Sequence, residues 1–122
     1  MKINKILYSD LLDKRLTDLL NGKHVYKLHK PEEIKTSLYI EYLIVREEEV
    51  KFCGNTSLEN EYLIQIDVFG ARGSEVSKVM DVLKTILKEK GYRYEYGYED
   101  YEADTKLYTE KIRVYKEVIK ED

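Results

Sequence analysis

Only two stretches of this chain place apolar residues at helical spacing; most of the remainder alternates or runs apolar in short bursts. In residues 3–21 the apolar positions are Ile3, Ile6, Leu7, Leu11, Leu12, Leu16, Leu19 and Leu20. Separations of three, four and five trace one side of a 3.6-residue period, which predicts a helix. Asn21-Gly22 closes it, with Gly22 suited to the left-handed cap position. In residues 74–90 a second stripe runs through Val76, Val79, Met80, Leu83, Ile86 and Leu87. Ser74 is the expected N-cap and Glu75 complements the positive helix end. Lys88 and Lys90 suit the negative end, and Gly91 is the stop.

Between and after the helices lie strand patterns. Residues 24–28 form a short candidate ended by Pro31. Residues 37–46, SLYIEYLIVR, are apolar on both faces and read as a central strand. The polar segment 47–60 is either a long loop or a hairpin arm with Val50 and Phe52 on one side. In residues 61–69, Tyr62, Ile64, Ile66 and Val68 share one face; Leu63, Gln65, Asp67 and Phe69 share a more polar one. That alternation describes a sheet covered on one side. Residues 92–98 alternate strictly, residues 99–104 make an acidic turn, and residues 105–118 form a last strand ahead of a polar tail, IKED. The expected fold is α+β: a mostly antiparallel or mixed sheet of four to five strands with two helices packed on it, in the order α-β-β-β-α-β-β. With no internal repeat and no low-complexity linker, residues 1–122 are expected to form a single domain.

The charge balance narrows the function classes. Lys and Arg number 21 against 24 Asp and Glu, giving −3. Nonspecific nucleic-acid binding rests on basic side chains neutralising phosphates, so nucleic acid is not an expected partner. No apolar run approaches the ~20 residues of a membrane helix, and the N-terminus lacks signal-peptide features, so a soluble intracellular protein is expected. The lone Cys53 cannot form an internal disulfide, which fits a reducing compartment.

A search for reactive groups finds no catalytic residue, metal site or cofactor site. His24 and His29 lack a partner at metal spacing and read as ordinary strand and loop residues. Asp100, Glu102 and Asp104 resemble the start of a calcium loop, but the required glycine and glutamate positions hold Thr105 and Lys111. Gly70-x-x-Gly73 is too short for a phosphate loop and is followed by Ser74-Glu75, so it reads as a plain turn. Cys53 has only Lys51 nearby to activate it and reads as incidental. The chain is therefore not expected to be an enzyme.

The tyrosines carry more information. Of 12 in the chain, seven lie between Tyr92 and Tyr115. In a regular strand Tyr92, Tyr94, Tyr96 and Tyr98 would point one way. A base-stacking platform would interleave them with Lys and Arg, whereas the neighbours are mainly Glu95, Glu99, Asp100, Glu102 and Asp104. Two readings stay open: an ordinary sheet face whose hydroxyl tips stay wet, and a subunit contact, since tyrosine is enriched at interfaces. The second would suit a small intracellular protein-binding or regulatory module.

The element order, together with IQIDVFGARGSEV at 64–76 and YEADTKLYTEKIRVY at 101–115, resembles the tail completion or tail terminator proteins of long-tailed bacteriophages and prophages. Members open with a helix similar to LYSDLLDKRLTDLL. Their Gln-Ile-Asp-Val-aromatic strand is matched by Gln65, Ile66, Asp67, Val68 and Phe69. Their tyrosine-acid turn is matched by Tyr101, Glu102, Asp104, Thr105 and Tyr108. The resemblance implies an α+β fold and no cofactor or reaction. It also implies a ring, usually of six copies, that caps the tail tube and meets the head connector. The implied partners are other copies of the chain, the tail tube protein and the head–tail connector protein. The implied location is the bacterial host cytoplasm during assembly, and the virion tail in an active element. Val50 and Phe52 of the 46–58 arm, with Tyr96, Tyr98, Asp100, Tyr101 and Glu102, are the expected contact residues.

Overall fold

A computed structural model describes residues 2–120. The fold is α+β: five strands in one mixed sheet with three helices. The helices are α1 (Lys2–Leu11), α2 (Lys14–Leu20) and α3 (Gly73–Glu89); the strands are β1 (Val25–Lys27), β2 (Leu38–Cys53), β3 (Thr56–Gly70), β4 (Arg93–Glu102) and β5 (Leu107–Ile119). The sheet order is β1-β2-β3-β5-β4, with β1 parallel to β2 and every other pairing antiparallel. The central strand is thus β3, with the expected 37–46 strand beside it.

The single helix expected over residues 3–21 is two. Asp13 adopts an extended backbone and accepts a hydrogen bond from the Arg15 N–H at 2.9 Å, so it starts a new helix. The stripe survives the break because the buried series Ile3, Leu7, Leu11 jumps five residues to Leu16 and continues to Leu20. Asn21, not Gly22, takes the left-handed cap, at φ 56. Arg15 fixes the junction to α3 by pairing with Asp13 and, at 2.8 Å, with Glu89. Its guanidinium holds the Asp13 carboxyl down at about 2.

The second expected helix is α3, but its N-cap is Arg72, without a side-chain bond, and Ser74 lies inside the helix. Gly70 is small for a packing reason: a Cβ there would lie 2.7 Å from Val76 Cγ2. All three helices join one core against one face of the sheet, formed by Ile40, Tyr42, Tyr62, Ile64, Ile66, Val68, Ile112 and Val114. Tyr92, between α3 and β4, is buried there and donates from its hydroxyl to Asp10 Oδ2 at 2.7 Å.

Residues 47–60 are an arm, not a loop. β2 and β3 stay paired through Cys53 and Thr56 and are closed by Gly54-Asn55, with Gly54 at φ 63 as a two-residue hairpin turn favours. The acidic turn is shorter than expected, since β4 continues through Glu102. In the polar tail, Ile119 ends β5 and the Lys120 N–H donates to the Leu58 carbonyl at 3.0 Å; Glu121 and Asp122 lie outside the described residues.

Candidate assembly surface

Strand alternation and register decide which side chains meet on the face away from the helices. Pairing sets Tyr39 beside Phe69, Glu41 beside Asp67 and Leu43 beside Gln65 across β2 and β3. It then sets Phe69 beside Thr109, Asp67 beside Lys111 and Gln65 beside Arg113 across β3 and β5. Tyr98 lies next to Lys111 and Tyr96 next to Arg113 at the β4 edge. This face is a grid of aromatic, cationic and anionic side chains, outside the core that the helices share.

The grid is tightly self-satisfied. Tyr39 and Phe69 stack with centroids 4.9 Å apart and planes 12° apart. Lys30 and Lys111 sit over these two rings at 5.3 and 5.9 Å. Gln65 donates to Asp67 through Nε2 and accepts from Arg113 Nε at 3.2 Å through its Oε1. Arg113 lies 5.8 Å from the centre of the Tyr96 ring, which stacks loosely on Tyr98. Glu41 accepts from the Lys30 backbone N–H at 2.7 Å. Arg93 covers Tyr115 at 4.5 Å and reaches Glu61.

Two carboxylates on this helix-free face are nearly buried: Asp67 is 7% exposed and Glu41 9%. Like charges directly across two strands oppose the pairing. Burial raises the Asp67 pKa, with Glu41 and Glu102 adding to the rise while Lys111 and Gln65 work against it. Tyr39 is pushed up to about 12, first by burial and then by Glu41 and Glu102.

A carboxyl whose pKa is higher folded than unfolded stabilises the fold while protonated. The contribution is complete below the ordinary carboxylate pKa and is lost as pH rises through the raised value. Asp67→Asn is therefore expected to gain stability over the parent at neutral pH, with the gap closing on acidification. Urea unfolding at about pH 4 and about pH 7 measures it, and an equal gap at both would show that burial of the charge is not the governing effect.

The expected contact residues fall in three places. Val50 and Phe52 are on the arm, Val50 half-buried and Phe52 57% exposed. Tyr96, Tyr98, Asp100 and Glu102 share the open face by alternation. Tyr101 points to the helix side, packed on Tyr108 at 4.8 Å. The expected single row of tyrosines is corrected here. A bulge between Tyr94 and Tyr96 shifts the register by one, so Tyr94 lies on the helix side under Lys84 and Tyr96 on the other. Tyr39, Glu41, Lys30, Lys111 and Arg113 form this face without any sequence signal that sets them together. Alternation in the last strand set Lys111 and Arg113 opposite Ile112 and Val114, but β2 reads as apolar on both faces, Lys30 lies outside the strands, and only register brings these residues side by side.

The residues screened for chemistry are dispersed. His24 Nδ1 meets the Tyr26 hydroxyl at 2.9 Å, and His29 Nδ1 lies 3.4 Å from Glu41. Cys53 is exposed at the arm tip. Among the described residues no three His, Cys, Asp or Glu side chains are grouped as a metal site, and no helix is long and apolar enough to cross a membrane.

No protein-family model and no curated protein sequence matches this chain. Its fold is shared with a chain in a solved structure, the virion of a native gene transfer agent (GTA) particle. The two agree with a TM-score of 0.71 at 14% sequence identity, over 93% of this chain and 91% of that one. The α+β fold is thus one found in a gene transfer agent virion particle.

Proposed function

We propose that this chain is a structural protein of a phage-like tail, acting as a tail completion, or terminator, protein. In this reading it forms a closed ring that caps the tail tube and joins it to the head connector, and it works by shape and contact, without turnover. The observation that carries the reading is the fold shared, over nearly the full length of both chains, with a component of the GTA virion. The tail-family resemblance at 64–76 and 101–115 narrows the role to completion. The β4 edge of the helix-free face supports it, since Tyr96 and Tyr98, 43% and 49% exposed beside Arg113 and Lys111, suit a specific protein contact. A ring needs two different surfaces per subunit. The arm with Val50 and Phe52 is one; the β4 region with Tyr96, Tyr98, Asp100, Tyr101 and Glu102 is assigned to the other contacts.

Electron microscopy of particles assembled without this protein tests the role. Tails of uncontrolled length, or tails that fail to join heads, are the expected defect. Tails of normal length on filled heads would reject it.

A further inference from the structure

Two surface features of the described residues bear on contacts between copies of the chain. The first is the arm tip. The last arm pair supported by β5 is Glu59 with Ile119, and the Lys120 N–H still reaches the Leu58 carbonyl, so residues 51–57 stand clear as a two-stranded ribbon about 10 Å long. The ribbon carries Phe52, 57% exposed, near its free end, while Leu58, 50% exposed, lies at its root. Its base carries an acidic excess: residues 46–61 hold Glu47, Glu48, Glu49, Glu59 and Glu61 against Arg46 and Lys51, with Glu48 paired to Arg46, Glu49 to Lys120, Glu59 to Lys51 and Glu61 to Arg93.

The second is a groove of about 510 Å³ between α3 and the start of β4. Its floor is Leu87, Tyr92, Tyr94 and Ile112, and its rim is Lys84 and Lys88. Lys116 extends the cationic rim, 4.8 Å from the centre of the Tyr92 ring. Tyr94, 51% exposed, gives the floor most of its surface, with Leu87, Tyr92 and Ile112 nearly buried beneath it.

We propose that the groove receives the arm tip of a second copy, with Phe52 seated on the apolar floor and the acidic arm base facing Lys84 and Lys88. Apolar end meets apolar floor, and an acidic segment meets a basic rim. Within one copy the arm belongs to β2 and β3 while the groove belongs to α3, β4 and β5. The contact is therefore head-to-tail, and each subunit keeps one free arm and one free groove for the next. This rests on the ring reading above and specifies which surfaces close the ring.

Cys53 is the only cysteine and sits at the arm tip, which makes the contact directly testable. Lys88→Cys places a second thiol on the groove rim, and Lys35→Cys places one on the loop before β2, at the opposite end of the sheet. Both proteins are treated with a mild oxidant across a concentration series. Lys88→Cys is expected to give a ladder of intermolecular disulfides, on the order of a hundredfold faster than Lys35→Cys, because docking raises the effective thiol concentration. Phe52→Ala in the Lys88→Cys background should slow the ladder to the control rate. Circular dichroism checks that each variant is folded. Equal rates for Lys88→Cys and Lys35→Cys, or a ladder unaffected by Phe52→Ala, would overturn the inference. If particles still need the protein for tail completion, only the arm–groove contact is then rejected. Normal particles made without the protein would reject the function itself.

Discussion

Ile66→Ala is expected to destabilise the protein by about 3–4 kcal/mol, the usual range for truncating a fully buried branched side chain to a methyl. Ile66 has no exposed surface and lies on the central strand, between Tyr42 of β2 and Ile112 of β5, both nearly buried. Its neighbours along β3, Ile64 and Val68, are equally buried, and α3 contributes Met80, Leu83 and Ile86 to the same core with none of their surface exposed. A cavity there cannot be refilled from solvent, and three-strand backbone pairing limits collapse around it. Domains of this size hold only about 5–15 kcal/mol of stability, so the loss is a large share of the total. Urea unfolding should show it as a lower midpoint, and thermal unfolding as a drop of roughly 10–20 °C. Ile119→Ala, at an apolar position 69% exposed near the end of β5, should stay within about 0.5 kcal/mol of the parent. Similar costs at the two positions would mean that the sheet face holding Ile66 is not the core.

That core was readable from sequence because burial imposes periodicity. Val76, Val79, Met80, Leu83, Ile86 and Leu87 recur at helical spacing and are all buried. Tyr62, Ile64, Ile66 and Val68 alternate and all face the helices. Where a segment is wet on both sides the signal vanishes. The arm, REEEVKFC, pairs as a strand, yet its sequence leaves loop and hairpin arm both open, since it is almost wholly exposed. The break at Asp13 was hidden for the opposite reason. A five-residue step from Leu11 to Leu16 passes for an imperfect helical stripe, and only the Asp13 to Arg15 bond reveals a new helix start. Strand register was beyond reach. A bulge of one residue reverses every side chain after it, and the alternation of YRYEYGY runs through the bulge unbroken. The open-face grid depends on register across four strands, so its aromatic and ionic pairs could not be assembled from the sequence, although the polar side of β3 was read in Gln65 and Asp67.

Gly97 is where this hidden register has the sharpest consequence, and Gly97→Ala is expected to destabilise the protein by about 1–2 kcal/mol. Alanine would ordinarily help a strand, because it restricts the unfolded chain and gains about 0.4–1 kcal/mol. Here the added methyl has no room. Its position lies 2.7 Å from the Tyr94 hydroxyl, 2.9 Å from Ile112 Cγ2 and 3.0 Å from the Lys111 carbonyl. Tyr94 comes before the bulge and lies on the helix side, its ring under Lys84 and its hydroxyl over Gly97. The ring could swing outward at small cost. Ile112 is 2% exposed in the core, and the Lys111 carbonyl is backbone of the paired strand, so neither can retreat freely. Overpacking of this kind costs about 1–3 kcal/mol and outweighs the alanine gain. The damage should be local: β4 is an edge strand held only by β5, so its amides should exchange faster while those of β3 stay protected. In the Tyr94→Ala background the penalty should shrink without disappearing, because the Ile112 and Lys111 contacts remain. A Gly97→Ala protein as stable as its parent, with β4 exchange unchanged, would mean that β4 does not cross β5 in this register and that Tyr94 and Tyr96 need not face opposite sides of the sheet.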